Sequence, residues 1–508
     1  MFAPDYATAM HDTFDWITRW ADYQPDHLAL GEWESGRSLS YGDLNRLANR
    51  LAHHLTRDLG LVRGDRVAIL AENCLEYVIF FAATQKTGII LVPLNYRLST
   101  GELAYVLSDA RPELLVVEEK FAASLPGDLH VTHLYRLEQL PVSTSKDSHT
   151  PDDVAFAAAE DLHEDDPVFI LYTSGTTGFP KGALYTHRML FWNSINTALR
   201  LHLTGDDRTL NVMPPFHTGG WNVLLTPLLH HGGYTCLMKK FDAAAVLRAL
   251  DAERCTIFMG VPTMLKMMAE DAAFGAAQLR EMRYFLAGGE AMPIPLIETW
   301  ATKGIPIRQG YGMTEVGPNL TSLHQDDAIR KKGSIGKPNF YVRTRIVDEQ
   351  GRNLPPGEAG ELWISGPMVT PGYWQQPGAT AQAMADGWFR TGDRVLRDEE
   401  GYLYVVDRIK NMFISGGENV YPAEIERVLA THPAVLEVCV VAMPHPRWGE
   451  VGKAWVVLRT GQDASPDALK EYCAGRLARF KIPHVIACCA ALPKNATGKI
   501  DRRALQQA

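Results

Sequence analysis

Short runs of β-branched and aliphatic residues alternate with segments of helical periodicity through much of this 508-residue chain. Arg66–Leu70 (RVAIL), Gly88–Leu94 (GIILVPL), Asp166–Thr173 (DPVFILYT), Tyr234–Met238 (YTCLM) and Cys255–Gly260 (CTIFMG) each read as a short buried strand. Between them, Leu44, Leu47, Leu51 and Leu55 repeat at helical spacing, with Ser40 and Asp43 forming a capping box in which Asp replaces the usual Glu. Strands alternating with helices dictate an α/β fold with mainly parallel sheets.

The texture changes after Gly357. Gly357–Pro367 and Gly401–Arg408 are close-set strands with glycine turns, more like antiparallel β. A tail of about a hundred residues follows. It reads as helix (Ala423–Leu429), strand (Leu436–Ala442), strand (Lys453–Leu458) and helix (Pro466–Phe480). The length requires more than one domain. We expect a large N-terminal domain over 1–407, built of α/β subdomains and a β-rich subdomain, and a small α+β C-terminal domain over 408–508.

Composition excludes several classes. A net charge of −9 argues against a nucleic-acid binder with a broad basic face. The seven cysteines include no C-x-x-C pair, so free thiols are expected rather than a disulfide framework or zinc site. The longest apolar runs, such as Tyr77–Ala83, are too short to span a bilayer. The N-terminus has no basic-then-apolar leader pattern. A cytoplasmic protein, monomeric or homodimeric, is the expectation, with peripheral membrane contact left open.

The stretch Tyr172–Gly182, YTSGTTGFPKG, carries three glycines, four aliphatic hydroxyls (Thr173, Ser174, Thr176 and Thr177), the phenol of Tyr172 and one lysine. Taken as a loop between strand and helix, it offers backbone N–H groups, hydroxyls and a mobile cation to anionic oxygens. It is not a P-loop: counted from Gly175, Pro180 stands where the second glycine belongs and Gly182 where the metal-binding hydroxyl belongs. The bland alternative is a hydroxyl-rich turn.

This loop resembles the phosphate loop of the adenylate-forming superfamily of acyl-CoA synthetases, peptide-synthetase adenylation domains and firefly-type luciferases. Five further motifs follow in the family's order: Ala287–Met292 (AGGEAM), Gln309–Glu315 (QGYGMTE), Trp388–Asp393 (WFRTGD), Asp407–Glu426 (DRIKNMFISGGENVYPAEIE) and Leu492–Lys499 (LPKNATGK). The chain is most similar to bacterial medium- and long-chain fatty acyl-CoA synthetases. The resemblance implies an ATP- and Mg²⁺-dependent ligase that converts a carboxylate into an acyl-adenylate and then, with CoA, into a thioester.

By the same resemblance Thr173, Ser174, Gly175, Thr176, Thr177, Gly178 and Lys181 hold the β- and γ-phosphates, and Thr314 contacts the α-phosphate. Glu315 ligates Mg²⁺ with help from Thr173, carboxylate oxygen suiting a hard ion. Gly288, Gly289, Glu290, Gln309, Gly310, Tyr311 and Gly312 line the adenine. Asp393 accepts the ribose hydroxyls, and Arg408 adds a contact to ribose or phosphate. Lys499 neutralises the α-phosphate; its bland alternative is a surface lysine beside Arg502 and Arg503.

The resemblance further implies that the C-terminal domain turns about Lys410 for thioester formation, bringing Gly416 and Gly417 to a pantetheine tunnel. Relatives carry Asp where this chain has Asn411. His217 falls where relatives place a residue at the tunnel mouth, although a lone histidine also fits a structural role. Trp221 falls where a long-chain relative gates its acyl tunnel, although a buried core tryptophan fits the same position. The apolar surroundings suit an alkyl or aryl tail. The lack of an aspartate in Phe216–Leu225 argues against amino acids.

Overall fold

The computed structural model describes the chain except residues 1–13, 141, 143–153, 157–161, 174–179, 290–291, 416–417, 475, 478 and 496–497, and the side chains of 410, 418 and 419. The chain divides into two compact units: 1–344 with 364–389, and 345–363 with 390–508. It is α/β, as the alternating pattern dictates.

Among the described residues, three sheets lie wholly within the first unit. One has the spatial order His133–Arg136, Leu114–Val117, Arg66–Leu70, Ile90–Pro93, Pro167–Thr173, Lys181–Thr186. All neighbours in it are parallel except the last pair, which is an antiparallel hairpin. A second sheet joins Ser38–Ser40, Leu28–Glu32, Tyr234–Leu237 and Arg208–Asn211. In the third, Ile257–Gly260, Tyr284–Ala287 and Ile307–Met313 run parallel, and Gly317–Ser322 then folds back antiparallel on Ile307–Met313.

The helix Leu75–Thr87 is buried from Tyr77 to Thr87, which explains the apolar run YVIFFAA without any membrane. Among the described residues no helix is long and apolar enough to cross a membrane. Lys86, at 0% exposure, is satisfied by Asp15 Oδ2 at 2.6 Å, Thr18 Oγ1 at 2.6 Å and Asn45 Oδ1 at 2.8 Å. A buried cation needs that full set of partners. The Ser40–Asp43 capping box forms as the sequence predicts.

The second unit centres on a five-stranded sheet: Glu418–Val420, Phe413–Ser415, Gly449–Leu458 and Val435–His445, with Val485–Cys488 adding parallel to Gly449–Leu458. Helices Pro422–Ala430 and Pro466–Cys473 pack with it around Phe413, Ile425, Leu429, Val440 and Val456. The second helix stops well short of Phe480, with Ala474 already extended at ψ 132°. The strand Val485–Cys488 was not anticipated. Of the cysteines, all seven are free, Cys488 is exposed and Cys489 half-buried, and the other five are buried.

Candidate active site

The glycine-hydroxyl stretch departs from the strand-to-helix expectation. It joins two antiparallel strands, Pro167–Thr173 and Lys181–Thr186, with Thr173 directly opposite Lys181. Lys181–Thr186 pairs back on Pro167–Thr173 despite its weak local β-propensity, so helix His187–Leu201 begins only after it, capped by Thr186. Ser174, Gly175, Thr176, Thr177 and Gly178 lie outside the described residues, as do Glu290, Gly416, Gly417 and the side chain of Lys410. Thr173 and Lys181, at the two ends of the stretch, are half-buried.

A segment that carried no sequence expectation completes this corner. Gly372–Trp374 runs beside Lys181–Thr186: Leu184 N–H donates to Gly372 O at 3.1 Å and Trp374 N–H to Gly182 O at 2.7 Å. Between these anchors, the Tyr373 hydroxyl donates to Glu315 Oε1 at 3.0 Å. The Lys181 ammonium lies 5.3 Å from the centre of the Tyr373 ring. Burial, reinforced by the Glu315 charge, pushes the Tyr373 phenol well above its ordinary range, so it stays a donor. Glu315 itself is buried, and its carbonyl accepts from Thr370 N–H at 2.8 Å. The motif GYW could have flagged this segment, but nothing in its spacing ties it to Glu315.

Thr314 and Glu315 sit on a single 3₁₀ turn between Ile307–Met313 and Gly317–Ser322. Gly312 makes that hairpin possible: a Cβ there would come within 2.2 Å of Pro318 O and 2.5 Å of Gly317 O. Gln309 pairs with Ala287 in the parallel register, which brings Gly288–Gly289 beside Gln309–Gly310 where the parallel pairing ends, at the carboxyl end of Tyr284–Ala287. Ligands of open parallel sheets bind at such ends. Gln309 is buried, and its Oε1 has no hydrogen-bond partner among the described residues. Tyr311 is half-buried opposite Thr321.

His217 is half-buried at the start of the short helix Thr218–Asn222. Trp221 is a core residue. Its Nε1 donates to Pro215 O at 2.6 Å, and its ring packs 5.1 Å from Phe169, 5.6 Å from Phe81 and 5.9 Å from Tyr77. The other side of the same turn is polar: Asn222 O accepts from Asn193 Nδ2 at 2.7 Å and Asn319 Nδ2 at 3.2 Å.

The second unit holds the other predicted residues. Asp393 is buried and pairs with Arg408, whose Nε lies 2.6 Å from Asp393 Oδ1. Asp407 accepts from Ala423 N–H at 2.8 Å, so it caps the helix Pro422–Ala430, and from Asn411 Nδ2 at 3.2 Å. Lys499 is exposed on a tight turn in which Asn495 and Lys499 bond reciprocally and Gly498 takes φ +83°.

The profile of the AMP-binding enzyme family matches residues 17–374, and that of the AMP-binding enzyme C-terminal domain matches 424–499. The chain belongs to the AMP-binding enzyme family. It is 39% identical over 485 residues to a feruloyl-CoA synthase of Amycolatopsis, covering 96% of each chain. It is 37% identical over 502 residues to the long-chain-fatty-acid–CoA ligase FadD13 of Mycobacterium tuberculosis, covering 97% of each. The o-succinylbenzoate CoA synthetase of Bacillus subtilis, solved with ATP and magnesium ion, superposes with a TM-score of 0.83 at 31% identity, over 97% of this chain and 99% of that one. The resemblance read in the six motifs is thereby established, and this AMP-binding enzyme is an ATP-dependent CoA ligase of the adenylate-forming superfamily. The substrate acid differs among these relatives.

Proposed function

We propose that this ligase activates a carboxylic acid with a compact aryl tail, and that Lys181, Thr314, Glu315, Asp393, Arg408 and Lys499 perform the roles their motifs imply. The observation that carries the adenylation site is the Lys181–Tyr373–Glu315 cluster at the mouth of the glycine-hydroxyl stretch. A cation, a hydroxyl donor and a buried carboxylate converge where a triphosphate has to be held.

The chemistry follows from charge. A free carboxylate is a poor acyl donor because oxide would have to leave. Its attack on the α-phosphorus of ATP forms the acyl-adenylate and expels pyrophosphate, after which AMP leaves readily when the CoA thiol attacks. Bringing one anion to another requires positive charge around the phosphates. Lys181 meets the departing pyrophosphate, with the hydroxyls of the stretch before it. Thr314 donates to the α-phosphate, and Lys499 neutralises its growing charge. Gln309 Oε1, buried and without a partner among the described residues, suits an amino group of the adenine ring. Asp393, oriented by Arg408, accepts the ribose hydroxyls.

The donor set also fits Mg²⁺. Glu315 is a buried carboxylate beside a phosphate loop, and a single carboxylate with a neighbouring hydroxyl such as Thr173 suits an ion that keeps waters and phosphate oxygens as its other ligands. The ion supplies charge neutralisation on the triphosphate. Around that chemistry, a C-terminal domain over 408–508 turns about Lys410, exchanging Lys499 for the Ser415–Asn419 segment when CoA reacts.

The aryl assignment rests on Trp221. An alkyl tunnel past it has to break the Nε1 bond to Pro215 O and displace three rings, which disfavours a long chain in that direction. The likeness to a feruloyl-CoA synthase supports this reading. The second reading, a medium- or long-chain fatty acid, is favoured by the likeness to FadD13. AMP release measured across acetate, octanoate, palmitate, benzoate, cinnamate and ferulate separates them. Highest kcat/KM for the aryl acids supports the first reading; highest for octanoate or palmitate overturns it.

A further inference from the structure

Tyr373 stands between two groups that the ligase reading assigns to ATP, and it belongs to neither of their chain segments. Its ring faces the Lys181 ammonium at 5.3 Å while its hydroxyl donates to Glu315 Oε1 at 3.0 Å. Its backbone has little freedom. Gly372 O and Trp374 N–H pair with the strand that begins at Lys181. Tyr373 N–H donates to Thr380 Oγ1 at 3.0 Å, and Trp374 Nε1 donates to Asp109 O at 3.1 Å. Asp109 in turn accepts from the Tyr172 hydroxyl at 2.6 Å, one residue before Thr173. Both ends of the phosphate stretch are therefore tied to the segment carrying Tyr373.

We propose that Tyr373 is a positioning residue for the metal-bound nucleotide: its hydroxyl sets the orientation of the Glu315 carboxylate, and its ring sets the approach of Lys181. A carboxylate that ligates an ion with one oxygen is aimed by the hydrogen bond to the other, so losing that bond lowers ion affinity without touching the nucleotide. The aromatic face draws the ammonium by its quadrupole, and that pull does not depend on the hydroxyl. The two effects are separable by substitution. Tyr373→Phe removes the first and keeps the second; Tyr373→Leu removes both. The inference rests on the ligase reading, because Glu315 matters here only as an ion ligand.

The test is direct binding on the full chain, with Mn²⁺ as the probe, titrated by electron paramagnetic resonance in the presence of a non-reacting ATP analogue. Calorimetry of the analogue without metal runs alongside. We expect Tyr373→Phe to weaken Mn²⁺ binding about tenfold while metal-free analogue binding stays within about twofold. Tyr373→Leu should weaken both. In a Glu315→Gln background, Tyr373→Phe should change Mn²⁺ binding no further. Wild-type Mn²⁺ affinity in Tyr373→Phe, full additivity with Glu315→Gln, or loss of the folded state in Tyr373→Phe each overturns the proposal. Failure of the wild-type chain to bind Mn²⁺ with the analogue instead overturns the ligase reading beneath it.

Discussion

Arg408 Nε lies 2.6 Å from Asp393 Oδ1, and the two residues face each other across an antiparallel strand pair. The carboxylate is buried while the guanidinium is exposed, so the arginine holds the acid in one orientation from the solvent side. Asp393→Asn keeps the size but turns one acceptor into a donor. Losing hydrogen bonds to a charged acceptor costs about 1.5–3 kcal/mol, so the KM for ATP should rise roughly 10- to 100-fold. Steady-state kinetics with ATP varied at saturating acid and CoA checks this; an unchanged KM removes Asp393 from the nucleotide site.

On the proposed mechanism Lys499 serves the adenylation step alone. Lys499→Ala should leave binding of ATP close to wild type and slow acyl-adenylate formation by about 100-fold or more, the scale for losing one transition-state charge partner. The thioester half-reaction, started from synthetic acyl-adenylate and CoA, should run near the wild-type rate. Equal losses in both half-reactions would remove the division of labour.

Asn411 donates to Asp407 at 3.2 Å, and Asp407 also caps the helix Pro422–Ala430. Asn411→Asp replaces that donor with a second carboxylate. The lost bond and the new repulsion should destabilise this turn by about 1–2 kcal/mol, with less effect in high salt. Thermal melts at low and high ionic strength read both parts of the expectation.

Much of this architecture is legible in the chain and some is not, for identifiable reasons. Arg66–Leu70 forms the strand its apolar run predicts, and Ser40 with Asp43 forms the predicted cap, because both signals are local. The glycine-hydroxyl stretch misled because Lys181–Thr186 turns back to pair with Pro167–Thr173 instead of opening a helix, and because Gly372–Trp374, nearly two hundred residues away in sequence, also bonds to that strand, where no local pattern speaks of it. Val485–Cys488 becomes a strand only because Gly449–Leu458 offers it an edge. Motif order singles out Glu315, Asp393 and Lys499 as candidates, but Tyr373 is visible only as a contact in space.

His187 supplies a pH dependence of stability. Full burial pulls its pKa from 6.5 down to about 4, against a smaller opposing pull from Asp166. Between these values the unfolded chain binds a proton that the folded chain refuses, so folding weakens as pH falls from about 6.5 to about 4. The difference amounts to about 3 kcal/mol once pH lies below both. Chemical denaturation at pH 7 and pH 5 should show a loss that is smaller in His187→Gln than in wild type.

Gly312 holds the backbone bend before Thr314. Gly312→Ala puts a methyl group against Pro318 O, which is backbone and cannot rotate away. We expect about 1–3 kcal/mol of destabilisation and a larger fractional loss of adenylation than of melting temperature, since Thr314 and Glu315 move with the strain. Differential scanning calorimetry and acid-dependent ATP–pyrophosphate exchange measured on one preparation compare the two.

The most direct measurement of the central claim follows AMP and acyl thioester together, with ferulate or palmitate as the acid and with CoA present or withheld. A ligase working through an adenylate produces AMP and thioester in equal amounts, needs the acid, and makes little free AMP without CoA. Release of ADP instead of AMP, or AMP formation that ignores both acid and CoA, would contradict the account.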